Sequence, residues 1–115
     1  MEVFHYTDEA GFKGISSAPD WRFIAGDPPA EHPRGTYFTD YNEQTVQLAA
    51  KLRIPKTKTE FRFCFSGNSQ VEVDGFIRIR GGRGLHIFYS PTDYVVNSER
   101  QLRKGRVDPE DRRND

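Results

Sequence analysis

The sequence predicts one α+β domain with antiparallel or mixed sheets and two short helices. Strand and helix patterns alternate in the first half, and a run of strand-like segments follows. That order favours segregated α+β packing over a doubly wound parallel sheet. Composition then bounds the core: the 115 residues are 35% hydrophobic, 30% charged and 13% aromatic, with 9 Phe. This describes one small aromatic core under a very polar surface, in a chain too aromatic to stay disordered.

Residues 2–7 (E-V-F-H-Y-T) alternate as a short strand, with Val3 and His5 on one face and Phe4 and Tyr6 on the other. Thr7 or Asp8 can cap a following helix that packs through Ala10, Phe12 and Ile15, although Gly11 and Gly14 weaken it. Residues 16–34 hold four of the 7 prolines and little periodicity, so a long loop is expected, functional or mobile. Trp21 and Phe23 within it either close over a ligand or tuck into the core. Residues 35–39 (G-T-Y-F-T) form a second strand. Asp40 or Asn42 can cap a second helix to about Lys51, with Val46, Ala49 and Leu52 on one stripe and Pro55 after it.

Residues 60–66 (E-F-R-F-C-F-S) are the clearest strand, with Phe61, Phe63 and Phe65 on one face and Cys64 turned to the polar side or to a helix. Further strands are expected at Val71–Val73, 76–80, 84–89 and 93–96, with Gly81 and Gly82 marking a turn. From Asn97 onward the chain is polar. The expected organisation is therefore a folded domain over 1–97 and a polar, flexible tail over 98–115.

Seventeen basic and 17 acidic residues cancel to a net charge of +0, so no overall field gathers nucleic acid or anionic membrane. Arg78, Arg80 and Arg83 form a local basic cluster, either a solvated face or a contact for an acidic target. The single Cys64 cannot form an internal disulfide, and His5, His32 and His86 have no metal-ligand spacing. No long apolar run predicts a membrane helix or a signal peptide.

Three short motifs carry the chemistry: H-Y-T at His5, G-T-Y-F-T-D around Tyr37, and an acid, Asp93, opening the D-Y-V-V segment. Each alone reads as readily as a satisfied polar group, a core aromatic or a turn residue. Together they resemble the diphtheria-toxin-like and poly(ADP-ribose) polymerase-like ADP-ribosyltransferases, in particular the His-Tyr-Asp type of bacterial toxin domain. The likeness covers residues 3–40 well and 84–97 loosely. Asp74, in V-E-V-D-G-F, is a rival to Asp93 for the third position.

The resemblance implies split antiparallel sheets and a site that uses NAD as co-substrate without a metal. Nicotinamide leaves NAD as a neutral molecule, so the site needs to position the dinucleotide and stabilise an oxocarbenium-like ribose rather than supply a strong acid. His5 and Thr7 then fix ribose hydroxyls, with His5 as a donor. The backbone at His5 or Tyr6 pairs with the nicotinamide amide, and Tyr37 stacks on nicotinamide. Arg34 meets the pyrophosphate or stays a solvated charge, Gly35 and Phe38 belong to the same binding segment, and Asp93 holds the nicotinamide ribose. The catalytic set is thus His5, Tyr37 and Asp93.

The implied activity is mono-ADP-ribosyl transfer to a protein or nucleic-acid acceptor by a toxin or effector domain. Alternatives are an NAD glycohydrolase and a non-catalytic NAD- or ADP-ribose-binding module. Action in a cytoplasm, delivery within a larger toxin and a cognate immunity protein follow from the same resemblance, with no membrane partner.

Overall fold

The computed structural model describes residues 2–26, 34–67, 77–78 and 86–107. The expected strand at Val71–Val73, Asp74, His32, Arg80, Arg83 and the side chain of Arg78 lie outside the described residues. The elements run β1 (Glu2–Thr7), α1 (Glu9–Ser16), β2 (Trp21–Phe23), β3 (Thr36–Thr39) and α2 (Leu48–Leu52). A 3-10 turn (Lys56–Thr59) leads to β4 (Phe61–Ser66), β5 (Ile77–Arg78), β6 (Ile87–Ser90), β7 (Tyr94–Val96) and β8 (Gln101–Arg106). Six strands form an antiparallel sheet in the order β5-β6-β3-β1-β4-β8, while β2 and β7 form a separate antiparallel pair. The coarse α+β expectation, with antiparallel sheets and two helices, holds.

Alternation along the central strands supplies two cores, one on each face of the large sheet. Val3 and Phe63, Phe65, Phe38 and Phe88 face the β2–β7 pair, where Trp21, Phe23 and Val96 complete a buried cluster with Phe12 and Ile15 of α1 against it. On the opposite face Phe4, Tyr6 and Cys64 pack with Leu48 of α2 and Val107. The rings meet edge-on: Trp21 lies 5.0 Å from Phe63 at 65°, and Phe23 lies 5.2 Å from Phe38 at 83°. This arrangement sets ring edges against ring faces and adds to the burial energy.

Helix α1 starts where the sequence places it. Asp8 accepts a hydrogen bond from the Gly11 N–H at 2.9 Å, and Lys58 binds its other carboxylate oxygen at 2.8 Å. The two helical glycines are not equivalent. A Cβ on Gly11 would collide with the Thr7 hydroxyl, whereas one on Gly14 meets nothing within 4 Å. Thr7 itself is buried against this first turn.

Three expectations are corrected. Residues 16–34 are not a structureless loop, because β2 lies within them: Trp21, Arg22 and Phe23 pair with Val96, Val95 and Tyr94. Trp21 and Phe23 are buried in the core rather than lying over an open cleft. The second helix begins only at Leu48. Asn42 folds the preceding chain into a turn by accepting from the Gln44 N–H at 3.0 Å, and Gln47 takes a left-handed backbone, φ 57°. Val46 is consequently exposed, and Leu48 takes the core position.

The third correction concerns the polar C-terminal stretch, whose residues Gln101–Arg106 form β8 along β4. Arginine stems and guanidinium planes replace apolar side chains there: Arg103 lies 5.4 Å over Phe4 and Arg106 4.6 Å over Phe61. The sheet therefore runs to Arg106 and the packed core to Val107, beyond the expected boundary at 97.

Glu43 ties this strand to the rest. Its Oε2 accepts from Arg62 Nε at 2.9 Å and Arg103 Nε at 2.7 Å, while Oε1 accepts from Arg103 Nη2 at 2.9 Å. Burial alone would raise the Glu43 carboxyl, but bonds from Arg103, its own backbone and Arg62 win and hold it at about 2. Among the described residues no helix is long and apolar enough to cross a membrane.

Two stability tests follow from these contacts. Gly14→Ala should stabilise the domain by about 0.5–1 kcal/mol through helix propensity. Gly11→Ala should instead destabilise it by roughly 1–3 kcal/mol, because the collision with Thr7 outweighs the same propensity gain. Paired urea titrations that give both changes the same sign would contradict the difference in surroundings.

Glu43→Gln should cost about 3 kcal/mol near pH 7 by leaving two guanidinium groups under-compensated. Glu43 is charged more readily folded than unfolded, so its contribution is complete above the ordinary carboxylate value of 4.5. It is lost as pH falls from there to about 2. The variant should lack that part of the acid sensitivity, measured by denaturation midpoints from pH 6 to pH 2.5.

Candidate functional site

The site grows from a parting between two neighbouring strands. β1 pairs with β4 along its whole length, from Glu2 opposite Ser66 to Thr7 opposite Phe61, but registers with β3 only at Phe4 opposite Thr39. Past that point the ladder gives way to a side chain: His5 Nδ1 lies 2.9 Å from the Tyr37 carbonyl oxygen. A carbonyl can only accept, so Nδ1 carries the proton.

The His5 ring packs 4.8 Å from Phe23 and 5.7 Å from Phe38. Desolvation among these rings lowers its pKa below 6.5, opposed by the bond to Tyr37 and aided by the charge of Lys58. The imidazole is therefore neutral at pH 7, with a lone pair on Nε2. That nitrogen has no hydrogen-bond partner among the described residues. The expected direction of the ribose contact reverses: a neutral His5 has no second proton to give, so a hydroxyl would donate to Nε2.

Tyr37 is half-buried and stacks on its cross-strand partner Tyr89, with centroids 5.2 Å apart and planes 21° apart. Burial, then the neighbouring Tyr89, raises its pKa, so the ring stays a neutral phenol. Tyr89 escaped the sequence reading because it is one aromatic in an aromatic-rich segment, and only the strand register singles it out. Gly35 is required by that neighbourhood: a Cβ there would lie 2.5 Å from the Ser90 carbonyl oxygen and 2.9 Å from Tyr89 Cδ2.

Asp93 stands immediately before β7, on the other sheet. Its Oδ1 accepts from the Ala25 N–H at 2.8 Å, and Oδ2 has no partner among the described residues. The Ala25 carbonyl in turn accepts from Arg34 Nη2 at 3.3 Å, and Gly26 and Gly35 exchange backbone bonds at 3.0 and 3.1 Å. Arg34, Gly35 and Asp93 thus converge on Ala25–Gly26. Phe23, which pairs with Tyr94 and touches His5, links that group to the imidazole.

The remaining expected contacts separate by atom type. The Phe38 side chain is buried in the core, and the Tyr6 ring lies in the opposite core with its hydroxyl donating to the Tyr41 carbonyl at 2.8 Å. Burial raises the Tyr6 pKa strongly. Thr7 is turned to α1 rather than toward a ribose. Phe38 and Tyr6 keep only backbone groups for a ligand.

A separate cavity of about 540 Å³ lies on the far face of the sheet, lined by Glu2, Phe4, Asp40, Glu43 and Arg103 among others. Its carboxylates are already committed: Glu2 and Glu43 to Arg103, and Asp40 to His86 at 2.9 Å. Cys64 is buried beside it, facing the helix side, and donates to Glu2 at 3.2 Å. Burial and the Glu2 bond push this thiol up to about 12, which leaves it inert as a nucleophile. Among the described residues no cluster of three or more His, Cys, Asp or Glu side chains is gathered to hold a metal.

The His5 assignment has a measurable pH signature. Below about 6.5 the unfolded chain binds a proton that folded His5 resists, so stability falls as pH drops from 6.5 towards its lowered folded value. Above 6.5 His5 contributes no slope. His5→Gln should flatten the stability profile between pH 7 and pH 5 measured by urea denaturation, and an unchanged slope would show that His5 titrates alike folded and unfolded. Compared with known proteins, the chain matches no protein-family model, no curated protein and no solved structure, so a functional reading draws on the site itself.

Proposed function

We propose that the chain is an NAD-dependent mono-ADP-ribosyltransferase domain acting as a toxin or effector on a macromolecular acceptor. The observation that carries this is the junction at His5. A neutral histidine on a strand that parts from its neighbour is fixed to the backbone of Tyr37, with an acid-led strand joined to it through Phe23. A gap between strands that a side chain spans is a place where a dinucleotide can meet backbone groups and side chains together.

Roles follow from the available atoms. His5 Nε2 accepts from a ribose hydroxyl. Tyr37, stacked on Tyr89, is the aromatic ring assigned to orient nicotinamide. Asp93 Oδ2 accepts from the nicotinamide ribose and stabilises positive charge as the bond to nicotinamide stretches. Arg34 is exposed beside Gly35, within its own segment for a pyrophosphate oxygen.

The aspartate arm is one methylene shorter than glutamate, and Oδ1 is already engaged by Ala25. One free carboxylate oxygen can orient the ribose but leaves little to activate an incoming sugar hydroxyl, so single transfer is favoured over polymer growth. The exposed position of Asp93 supports a second reading, NAD hydrolysis, since water reaches the same carboxylate. A protein or nucleic-acid acceptor distinguishes the two.

Incubation with adenine-labelled NAD and cell lysate should release nicotinamide and label a macromolecule with single ADP-ribose units. Free labelled ADP-ribose alone selects hydrolysis, polymer contradicts the role given to Asp93, and no nicotinamide under any condition overturns the proposal. His5→Ala and Asp93→Asn should each lower nicotinamide release by about 10²–10³-fold. A non-catalytic binding module would instead keep its cellular effect in both variants.

A further inference from the structure

We infer that Thr36 is a positioning residue for the Asp93 carboxylate, an assignment that rests on the transferase reading above. Thr36 is 3% exposed and sits on β3 one residue before Tyr37. Its Oγ1 donates to the Thr92 carbonyl oxygen at 3.2 Å. That carbonyl belongs to the same planar peptide as the Asp93 N–H, so holding it fixes the plane from which the Asp93 side chain departs.

Among the described residues the turn carrying Asp93 has no other side-chain hydrogen bond to β3. Within the turn, the Thr92 N–H reaches Ser90 Oγ at 3.4 Å, and Thr92 Oγ1 donates to the Asp93 carbonyl at 3.3 Å. These bonds close the turn on itself but do not say where it sits. Ser90 lies opposite Thr36 in the β3–β6 ladder, and Thr36 fixes the following turn relative to Tyr37. Ala25, two residues past the end of β2, then grips Asp93 Oδ1 at 2.8 Å. One anchor thus comes from β3 and one from the segment after β2, and the Thr36 anchor belongs to the strand that carries Tyr37.

The consequence is chemical. A carboxylate on a short arm cannot make up a backbone displacement by changing rotamer as a longer side chain can. A shift near 1 Å at a reacting group costs about 10²-fold in rate. The NAD contacts assigned to His5 and Arg34 do not pass through Thr36, and the Asp93 bond to the ribose gains strength mainly as positive charge develops. Loosening the turn should therefore strike turnover and spare affinity.

The test compares Thr36→Val, which keeps the shape and removes the donor, with Thr36→Ser, which keeps the donor. Thr36→Ala, which leaves room rather than a methyl against Thr92, is measured alongside in case the valine variant does not fold, and is read the same way. Nicotinamide release by the wild-type chain comes first, because its absence overturns the transferase reading and this assignment with it. Given release, Thr36→Val should lower kcat about 10–100-fold with KM for NAD within about twofold, and Thr36→Ser should restore it. In an Asp93→Asn background the valine change should add nothing. Wild-type kcat in Thr36→Val overturns the assignment while leaving the transferase reading intact. So does a loss that serine does not rescue and that falls on KM and thermal midpoint together, or one that persists undiminished in the Asp93→Asn background.

Discussion

The hydrogen bond from His5 Nδ1 to the Tyr37 carbonyl is the constraint on which the arrangement turns. A backbone carbonyl at a strand that leaves its ladder must find a donor or pay for desolvation. Here a side chain supplies it, so β3 can part from β1 after a single registered pair. The same bond fixes the tautomer of the imidazole, and the surrounding Phe23 and Phe38 rings keep it neutral. Strand pairing and tautomer are linked at one atom pair: the bond that lets β3 part from β1 is also the one that leaves the lone pair on Nε2.

Phe23 has the matching role in the core. It touches His5, Phe38, Phe63 and Phe65, and its strand holds β7 beside it. A two-stranded pair is marginal by itself in water. It stays in place because Trp21 and Phe23 bury their rings against the phenylalanine face of β4. The position of Asp93 relative to His5 is thus set by aromatic packing between the sheets together with the bonds from Thr36 and Ala25. This accounts for the aromatic content of so small a core, since broad flat rings span the space between sheets that few residues are available to fill.

Residues 2–16 and 60–66 could be read from the sequence because alternation and capping there act locally: Asp8 caps α1 within three residues, and the phenylalanines of β4 share a face by spacing alone. β2 was hidden because W-R-F is three residues long and surrounded by proline, and its pairing partner lies some seventy residues away. β8 was hidden because Q-L-R-K-G-R lacks apolar alternation, its arginines covering Phe4 and Phe61 and meeting Glu43 only after folding. In the site, His5 and Tyr37 were visible as residue types within motifs. The proton on Nδ1, the stacking of Tyr89 and the burial of Phe38 depend on registers no single segment encodes.

Those registers also explain why the expected binding segment divides by face. Along β1, His5 points to the aromatic core shared with β2 and β7, while Tyr6 points to the opposite core and is tied down by Tyr41. Along β3, Phe38 turns inward and Tyr37 outward onto Tyr89. On the transferase reading, a dinucleotide would therefore reach His5 from the core face and Tyr37 from the opposite face, meeting backbone where the strands part. That alternation makes demands of two kinds on so short a segment: His5, Gly35 and Tyr37 are constrained by their side-chain chemistry or its absence, and Tyr6 and Phe38 by the packing that keeps their backbone in place. Substitutions at the second pair would act on the site through the fold, and substitutions at the first would act on it directly.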